Sequence, residues 1–472
     1  MKKIQSIKNK INWVIFVLFI ALSFSCKKLI QIPVHNANQI PITQVFADSA
    51  STLAYVKGIY NNFNVNVGGT LTSGLLDIIP GRTADELSYI GAGDEDQNTI
   101  LVSNPDMETF WSNAYTNMYQ INSCLENIPS STVLSQPLKK QLLGEIKVIR
   151  AFYYFNLVNL FGGVPLVTTT DYHLTESLPR ASVDSVYSLI ISDLTSSQKL
   201  LTATYPQFTT TQRARVNLYV ADALLAKVYL YRQQWALAAS TSSVVINSGI
   251  YSLVSLNNVF LDGSNEAIWQ LPATGLYTQT YDGSAFTPYP NSIPAYQIAP
   301  ALSNAFEAGD LRKTDWVGTN PVNDGVTTTL YYYPAKYKNN TAAATPAEDL
   351  MFLRLSEQYL IRAEAYAHSG NAPGAVADIN QIRNPARVGL PNYTGPTDQT
   401  SLLNEIMHER QVELFCEWGN RWFDLKRTGT INNVLGAEKP GFQPFAALYP
   451  IPLTEIQNNP FLLQNPGYPG AK

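Results

Sequence analysis

Cysteine is nearly absent, with three residues in a chain of 472. Cys124 and Cys416 are far apart and sit among hydrophobic neighbours. This excludes the disulfide framework of small secreted domains and places both thiols in the core. Histidine is as sparse, with His35, His173, His368 and His408 making up all four, so few ligands are on offer for a transition-metal centre. Only 14% of residues are charged and the formal net charge is −4. Binding to nucleic acid rests on neutralising phosphate, so this balance argues against nucleic acid as a partner. Gly-x-Ser-x-Gly, a phosphate-cradling glycine loop with its lysine, and the zinc-protease histidine pair are all missing. Two carboxylates at glycosidase spacing would leave no local signature, but nothing else points to catalysis and the chain reads as a non-enzyme.

No apolar run reaches bilayer length. The run from Ile11 to Phe24, broken by Asn12 and Ser23, makes about 21 Å of helix against roughly 30 Å of hydrocarbon. Lys2, Lys3, Lys8 and Lys10 precede it, which is the layout of a signal peptide over residues 1–25. Ser23-Phe24-Ser25-Cys26 then resembles the lipobox of bacterial lipoprotein precursors. Cys26 is therefore expected to be acylated, with several chains such as palmitate giving stable attachment. Removing the leader takes away four lysines and no carboxylate, deepening the negative balance. Residues 26–44, with Pro33 and Pro41, read as a tether to a single body over 45–472.

What the chain does have is aromatic rings: 27 Tyr, 19 Phe and 7 Trp. A surface rich in tyrosine and amides suits a neutral polar ligand, because rings bury area cheaply and amides both donate and accept. Apolar residues at helical spacing predict helices over Gln44–Tyr60, Met107–Ile128, Pro137–Leu160 and Asp184–Leu194, then from Arg213 with a break near Arg232. They return at Phe352–Ser369, Ala372–Arg383 and Ser401–Trp418. Between them, residues 247–349 form a loop-rich insert with strand-like pieces at Ala267–Leu271 and Thr327–Tyr333, and long loops of this kind are usually functional. Ala226, Tyr229 and Ala238 share their spacing with Ala363, Tyr366 and Ala375, resembling tetratricopeptide helix pairs. The fold class is mainly alpha.

Four longer stretches carry a more specific likeness. Gly144 to Val167 is an aromatic helix around Arg150 that stops at Gly162-Gly163. Pro179-Arg180 leads into Ser182-Val-Asp184, and Glu409-Arg410 leads through Glu413, Trp418-Gly419, Arg421 and Asp424 to Arg427. The tail holds Tyr449-Pro450-Ile451-Pro452 and Asn465-Pro466-Gly467-Tyr468. Taken in order after Cys26, these resemble the SusD/RagB family of lipid-anchored, nutrient-binding proteins of Bacteroidota. The resemblance implies a scaffold of tetratricopeptide-like helix pairs capped by a loop-rich region. It also implies a SusC-like TonB-dependent barrel as partner, and capture of oligosaccharide, or in some cases peptide, on the exterior of the outer membrane. A structural or adhesive repeat lipoprotein is the more distant alternative.

The ligand candidates are Arg82, Asp85 and Tyr89 in the early loop, beside Glu86, and Tyr281, Tyr289 and Trp316 in the insert, beside Tyr277 and Tyr296. Neighbouring Gly, Pro and Asp make the insert aromatics hard to bury in a regular helix. Glu405, Glu409, Glu413 and Glu417 recur every four residues, and Glu405-x-x-His408 invites a metal reading; a second such motif is missing, so no cofactor is expected. A structural calcium near Asp94-Glu95-Asp96 is compatible with the sequence. Glu413, Arg421, Asp424 and Arg427 are expected to form one ion-pair network that pins the turn at Gly419, with Arg150, Glu409 and Arg410 also structural.

Overall fold

A computed structural model of the chain describes residues 41–63, 69–206, 213–272, 279–341 and 345–470. The expected leader, Cys26, most of the tether and Tyr277 lie outside the described residues. The chain divides into a unit ending at Leu53 and one beginning at Ala54. In the first, a short helix Ile42–Val45 is separated from the start of α1 (Ser49–Asn61), which continues into the second. Asp48 interrupts what was expected as one helix, because its carboxylate accepts the Ser51 N–H at 2.8 Å and sets a new start.

The second unit is mainly α-helical with short strands and loop-rich regions. Among the described residues its helices of eight residues or more are α2 (Leu75–Thr83), α3 (Pro105–Asn127), α4 (Gln136–Phe161), α5 (Val183–Leu200), α6 (Leu218–Tyr231), α7 (Trp235–Ile246), α8 (Leu355–His368), α9 (Ala372–Ile382), α10 (Gln399–Glu413), α11 (Asn420–Arg427) and α12 (Ile431–Glu438). Their starts follow capping chemistry. The side chains of Asn104, Ser135, Ser182, Asn217, Asn371 and Asp398 accept N–H groups of the first turns of α3, α4, α5, α6, α9 and α10, satisfying donors that have no partner within the helix. Gly162, at φ 77°, ends α4. Successive helices pack on one another, α3 on α4 on α5 and α6 through α7, α8 and α9 to α10. Ala363 and Ala367 of α8 meet Ala375 and Ile379 of α9 and Leu402 and Ile406 of α10 in one buried cluster.

Strand structure lies both within the insert and outside it, at Leu87–Tyr89 and Asp349–Arg354. Among the described residues six strands, β1 (Leu87–Tyr89), β2 (Ala267–Pro272), β3 (Tyr296–Ile298), β4 (Val317–Asn323), β5 (Thr328–Pro334) and β6 (Asp349–Arg354), make three antiparallel pairs: β1 with β3, β2 with β6, β4 with β5. The β4–β5 hairpin turns at Asp324-Gly325, where Asp324 accepts the Val326 and Thr327 N–H groups at 2.8 Å. β6 occupies residues expected as the start of a helix. Its side chains are all buried, and the all-apolar run Leu350–Leu353 suits a fully buried strand as well as a helix. Phe352 of β6, Trp269 of β2, Phe152 of α4, Phe63 and Trp418 interlock with ring centroids 4.4 to 5.9 Å apart. This aromatic centre fastens the strands to the helices. Among the described residues no helix is long and apolar enough to cross a membrane.

Candidate ligand-binding face

Arg82 closes α2 and Tyr89 closes β1, so a few residues of tight chain join them. The β1–β3 register sets Tyr89 opposite Tyr296, with ring centroids 5.3 Å apart and planes at 34°. The Arg82 guanidinium carbon lies 4.8 Å from the Tyr89 ring centre, within cation–π range. Phe286 meets Tyr296 edge-on at 5.8 Å, and the Ile90 N–H donates to Ala295 O at 3.0 Å, continuing the strand pairing. Tyr89 is 37% exposed, so this aromatic pair opens to solvent.

The charges here are closed upon themselves. Arg82 Nη2 lies 2.6 Å from Asp96 and 2.9 Å from Glu95. Burial opposes the guanidinium charge, yet these carboxylates hold it above its ordinary value. Asp96 also accepts the Tyr89 N–H at 3.1 Å and the Gly93 N–H at 2.9 Å, and Glu95 accepts from Asn104 at 2.7 Å. Two of the three carboxylates weighed for calcium, Glu95 and Asp96, thus bind arginine, amide and backbone donors. Burial, reinforced by Tyr281, pushes the Tyr296 hydroxyl up to about 12; burial and then Asp282 and Asp106 raise Tyr281. The face offers neutral phenols and an arginine already matched, a surface for hydrogen-bonding and stacking rather than for ions.

The other ligand candidates separate. Tyr281 is half-buried, and Gly74, at φ 84°, leaves the space its ring fills: a Cβ there would lie 2.0 Å from Tyr281 Cδ1. Tyr289 is 84% exposed in the insert, where its carbonyl accepts from Asn320 Nδ2 at 3.0 Å. Asp85 is buried and bound to Arg421. Trp316 requires a correction, because it is fully enclosed. Its indole N–H donates to Leu256 O at 3.1 Å, Lys336 Nζ lies 4.8 Å from its ring, and Phe260 and Phe415 close around it. It ends a short helix, Leu311–Trp316, that tucks it inward despite its polar neighbours.

The expected single ion network is also corrected. Glu413 is fully buried among Arg354, Arg387 and Arg312, at 2.7, 2.8 and 3.2 Å. Burial works against its charge, but Arg387 and Arg354 hold it well below the usual carboxylate range. Asp424 belongs to a second cluster, 2.6 Å from Arg410 and 2.8 Å from Arg427, which reaches on to Glu364. Arg421 belongs to neither and binds Asp85. Arg150 is paired with Asp193 at 2.7 Å. Glu409 lies between Arg312 and Arg383, and Arg383 also binds Glu307 and Glu405, so the Glu405 carboxylate weighed as a metal ligand with His408 is paired with a guanidinium. Sequence reasoning missed Arg312, Arg354, Arg383 and Arg387 as partners of the glutamate stripe, since no local spacing links them to it.

Between these clusters the turn at Gly419 is held from beneath. Cys416, Trp418 and Gly419 all have positive φ, at 50°, 52° and 64°, and the N–H groups of Cys416 and Trp418 donate to Glu86 and Asp77. Both acceptors are buried carboxyls of the α2 region. The strained turn and the ligand loop are therefore one construction.

The SusD family profile matches residues 275–468, and a second profile, described as starch-binding associating with outer membrane, matches residues 48–230. The chain belongs to the SusD family. SusD-like protein P25 of Formosa agariphila is 25% identical over 96% of this chain and 98% of its own length. The starch-binding protein SusD of Bacteroides thetaiotaomicron is 31% identical over 42% of this chain and 37% of its own. Among solved structures, a SusD superfamily protein from Bacteroides vulgatus superposes with a TM-score of 0.75 at 21% identity, covering 90% of this chain and all of that one. A laminarin-binding SusD-like protein does so at 0.73 and 24%, covering 89% and 100%. SusD family proteins bind without catalysing, and Glu409 and Glu413 of the carboxylate-rich α10 are buried in ion pairs.

Proposed function

We propose that the face around Tyr89 and Tyr296 captures a neutral oligosaccharide and that the chain delivers it to a SusC-like TonB-dependent barrel in the outer membrane. The observation that carries this reading is the solvent-facing tyrosine pair beside a guanidinium that is already neutralised. Pyranose rings have apolar faces that rest on aromatics, and their hydroxyls are matched by phenols and amides. The starch-binding description of one profile and the starch- and laminarin-binding relatives support a glycan. In this reading Cys26 carries the lipid, residues 26–44 are a leash, and the body faces the exterior, where anchoring keeps it concentrated beside its partner. The pairs α6–α7 and α8–α9, with Ala226, Ala238, Ala363 and Ala375 fully buried, act as tetratricopeptide-like units of the scaffold.

Titration of the mature chain with neutral oligosaccharides of the starch and laminarin types, and with peptides of matched length, tests the reading. Saturable glycan binding is expected, weakened at least about tenfold by Tyr296→Ala with an unchanged circular dichroism spectrum. Equal affinity in the variant, or binding of peptides alone, would overturn it.

A further inference from the structure

A short helix, Tyr281–Phe286, connects α2 with the ligand face. At its far end Phe286 meets Tyr296 edge-on, and at its start the Tyr281 ring fills the space beside Gly74. The next residue, Asp282, is 1% exposed. Its carboxyl is hydrogen-bonded to that of Asp77, in the first turn of α2 and itself 4% exposed. Asp77 also accepts the Trp418 N–H. Among the described residues no other side chain or backbone N–H donates to either oxygen of Asp282.

Two ionised carboxylates have no proton to offer each other, so one proton lies between them. Among the described residues no basic side chain pairs with either carboxyl. The titratable groups that face the pair are Glu417, Cys416, Tyr337 and Tyr281. Burial, with acidic neighbours after it, pushes the thiol and both phenols up and keeps them neutral, and Glu417 is matched by Lys336 and Arg354. Burial, joined by Asp282, raises the Asp77 carboxyl well above the usual carboxylate range, and burial raises that of Asp282 as well. In water either group is ionised at neutral pH. Parting them therefore releases the shared proton. The helix then leaves α2 more readily as pH rises, by up to about tenfold in the opening equilibrium per pH unit above the ordinary carboxylate range.

We infer that the Asp77–Asp282 carboxyl pair is a proton-held latch on the ligand face: the shared proton fastens the short helix to α2 in support of Tyr296, and its loss frees the helix and weakens ligand capture. The consequence for the ligand rests on the Tyr89–Tyr296 reading, whereas the latch itself does not.

Hydrogen exchange of the amides at 281–286 in the mature chain, corrected for the intrinsic rate at each pH, tests the latch from pH 5 to pH 8. Opening in wild type is expected to rise at least about tenfold. Asp282→Asn puts an amide N–H in place of the shared proton and cannot ionise, so its opening is expected to change less than about twofold. Asp77→Asn, which keeps an acceptor for the Trp418 N–H, is expected to behave in the same way. Titration with starch- and laminarin-type oligosaccharides over the same window is expected to show affinity falling several-fold in wild type and staying level in Asp282→Asn. Equal pH dependence of exchange in wild type and both variants overturns the latch, as does a wild-type affinity that stays level while the helix opens. Absence of glycan binding at every pH would instead sink the reading of the face, with the exchange measurement still deciding the latch.

Discussion

Arg421 donates from Nε and Nη2 to the two carboxylate oxygens of Asp85 at 2.7 and 2.5 Å, joining positions 336 residues apart. The Asp85 side chain is almost wholly buried and that of Arg421 nearly so. Through this pair α11 holds the short segment that leads from α2 into β1 and Tyr89. Buried pairs of this kind fix geometry more than they add net stability, but removing one partner strands the other.

Arg421→Ala is therefore expected to lower the unfolding free energy by about 3 kcal/mol, since it leaves the buried Asp85 side chain without its partner. Urea unfolding followed by circular dichroism measures this. Arg421→Ala with Asp85→Ala should be less destabilised than the sum of the two single variants, because the stranded charge is gone. An unfolding midpoint unchanged in Arg421→Ala would contradict the ion-pair account.

Trp316 and Tyr289, both candidates from sequence, should behave oppositely. The enclosed indole of Trp316 makes Trp316→Ala a core truncation that costs about 3–5 kcal/mol. Tyr289 is 84% exposed, so Tyr289→Ala is expected to shift stability by no more than about 0.5 kcal/mol. Thermal melts of the two variants decide the matter; equal melting temperatures would mean that Trp316 is not the packed residue described.

The contrast between these two residues shows what the sequence could carry. Helix positions were legible because apolar spacing is local. The glutamates of α10 were legible as a stripe, but their arginines come from positions 312, 354, 383 and 387, and only the fold brings them together. Tyr89 and Tyr296 each stood out beside turn residues, yet no spacing relates them; the β1–β3 register does. Trp316 misled because Asp315 and the glycine at 318 suggested a loop, while a helix of six residues turned the ring inward.

Acidity bears on stability through Glu86. Burial, with Asp85 beside it, pushes its carboxyl from the ordinary 4.5 up to about 8, although the Cys416 N–H works the other way. A raised folded-state value means that its contribution is present in full below the ordinary carboxylate range and declines as pH rises toward about 8. Glu86→Gln keeps an acceptor for Cys416 and cannot ionise. Its stability relative to wild type should therefore increase from pH 5 to pH 8, by on the order of a few kcal/mol. A difference that stays flat across that window in denaturant titrations would show that Glu86 does not titrate in this way.

Gly74 gives the most direct link between backbone and ligand face. Its φ of 84° lies where L side chains are strained, and a Cβ would fall 2.0 Å from Tyr281 Cδ1 and 2.6 Å from Cε1. Gly74→Ala is expected to cost about 1–2 kcal/mol for the backbone alone, and more for displacing the tyrosine ring. Because Tyr281 follows Thr280, whose hydroxyl caps the short helix carrying Phe286, and Phe286 packs on Tyr296, the displacement should reach the aromatic pair and weaken glycan binding. Adding Tyr281→Ala removes the clash but not the backbone strain. The double variant should thus be more stable than the two single effects predict, by about 1 kcal/mol or more. Strict additivity in urea unfolding would show that the Tyr281 ring yields freely and that Gly74 serves the backbone turn alone.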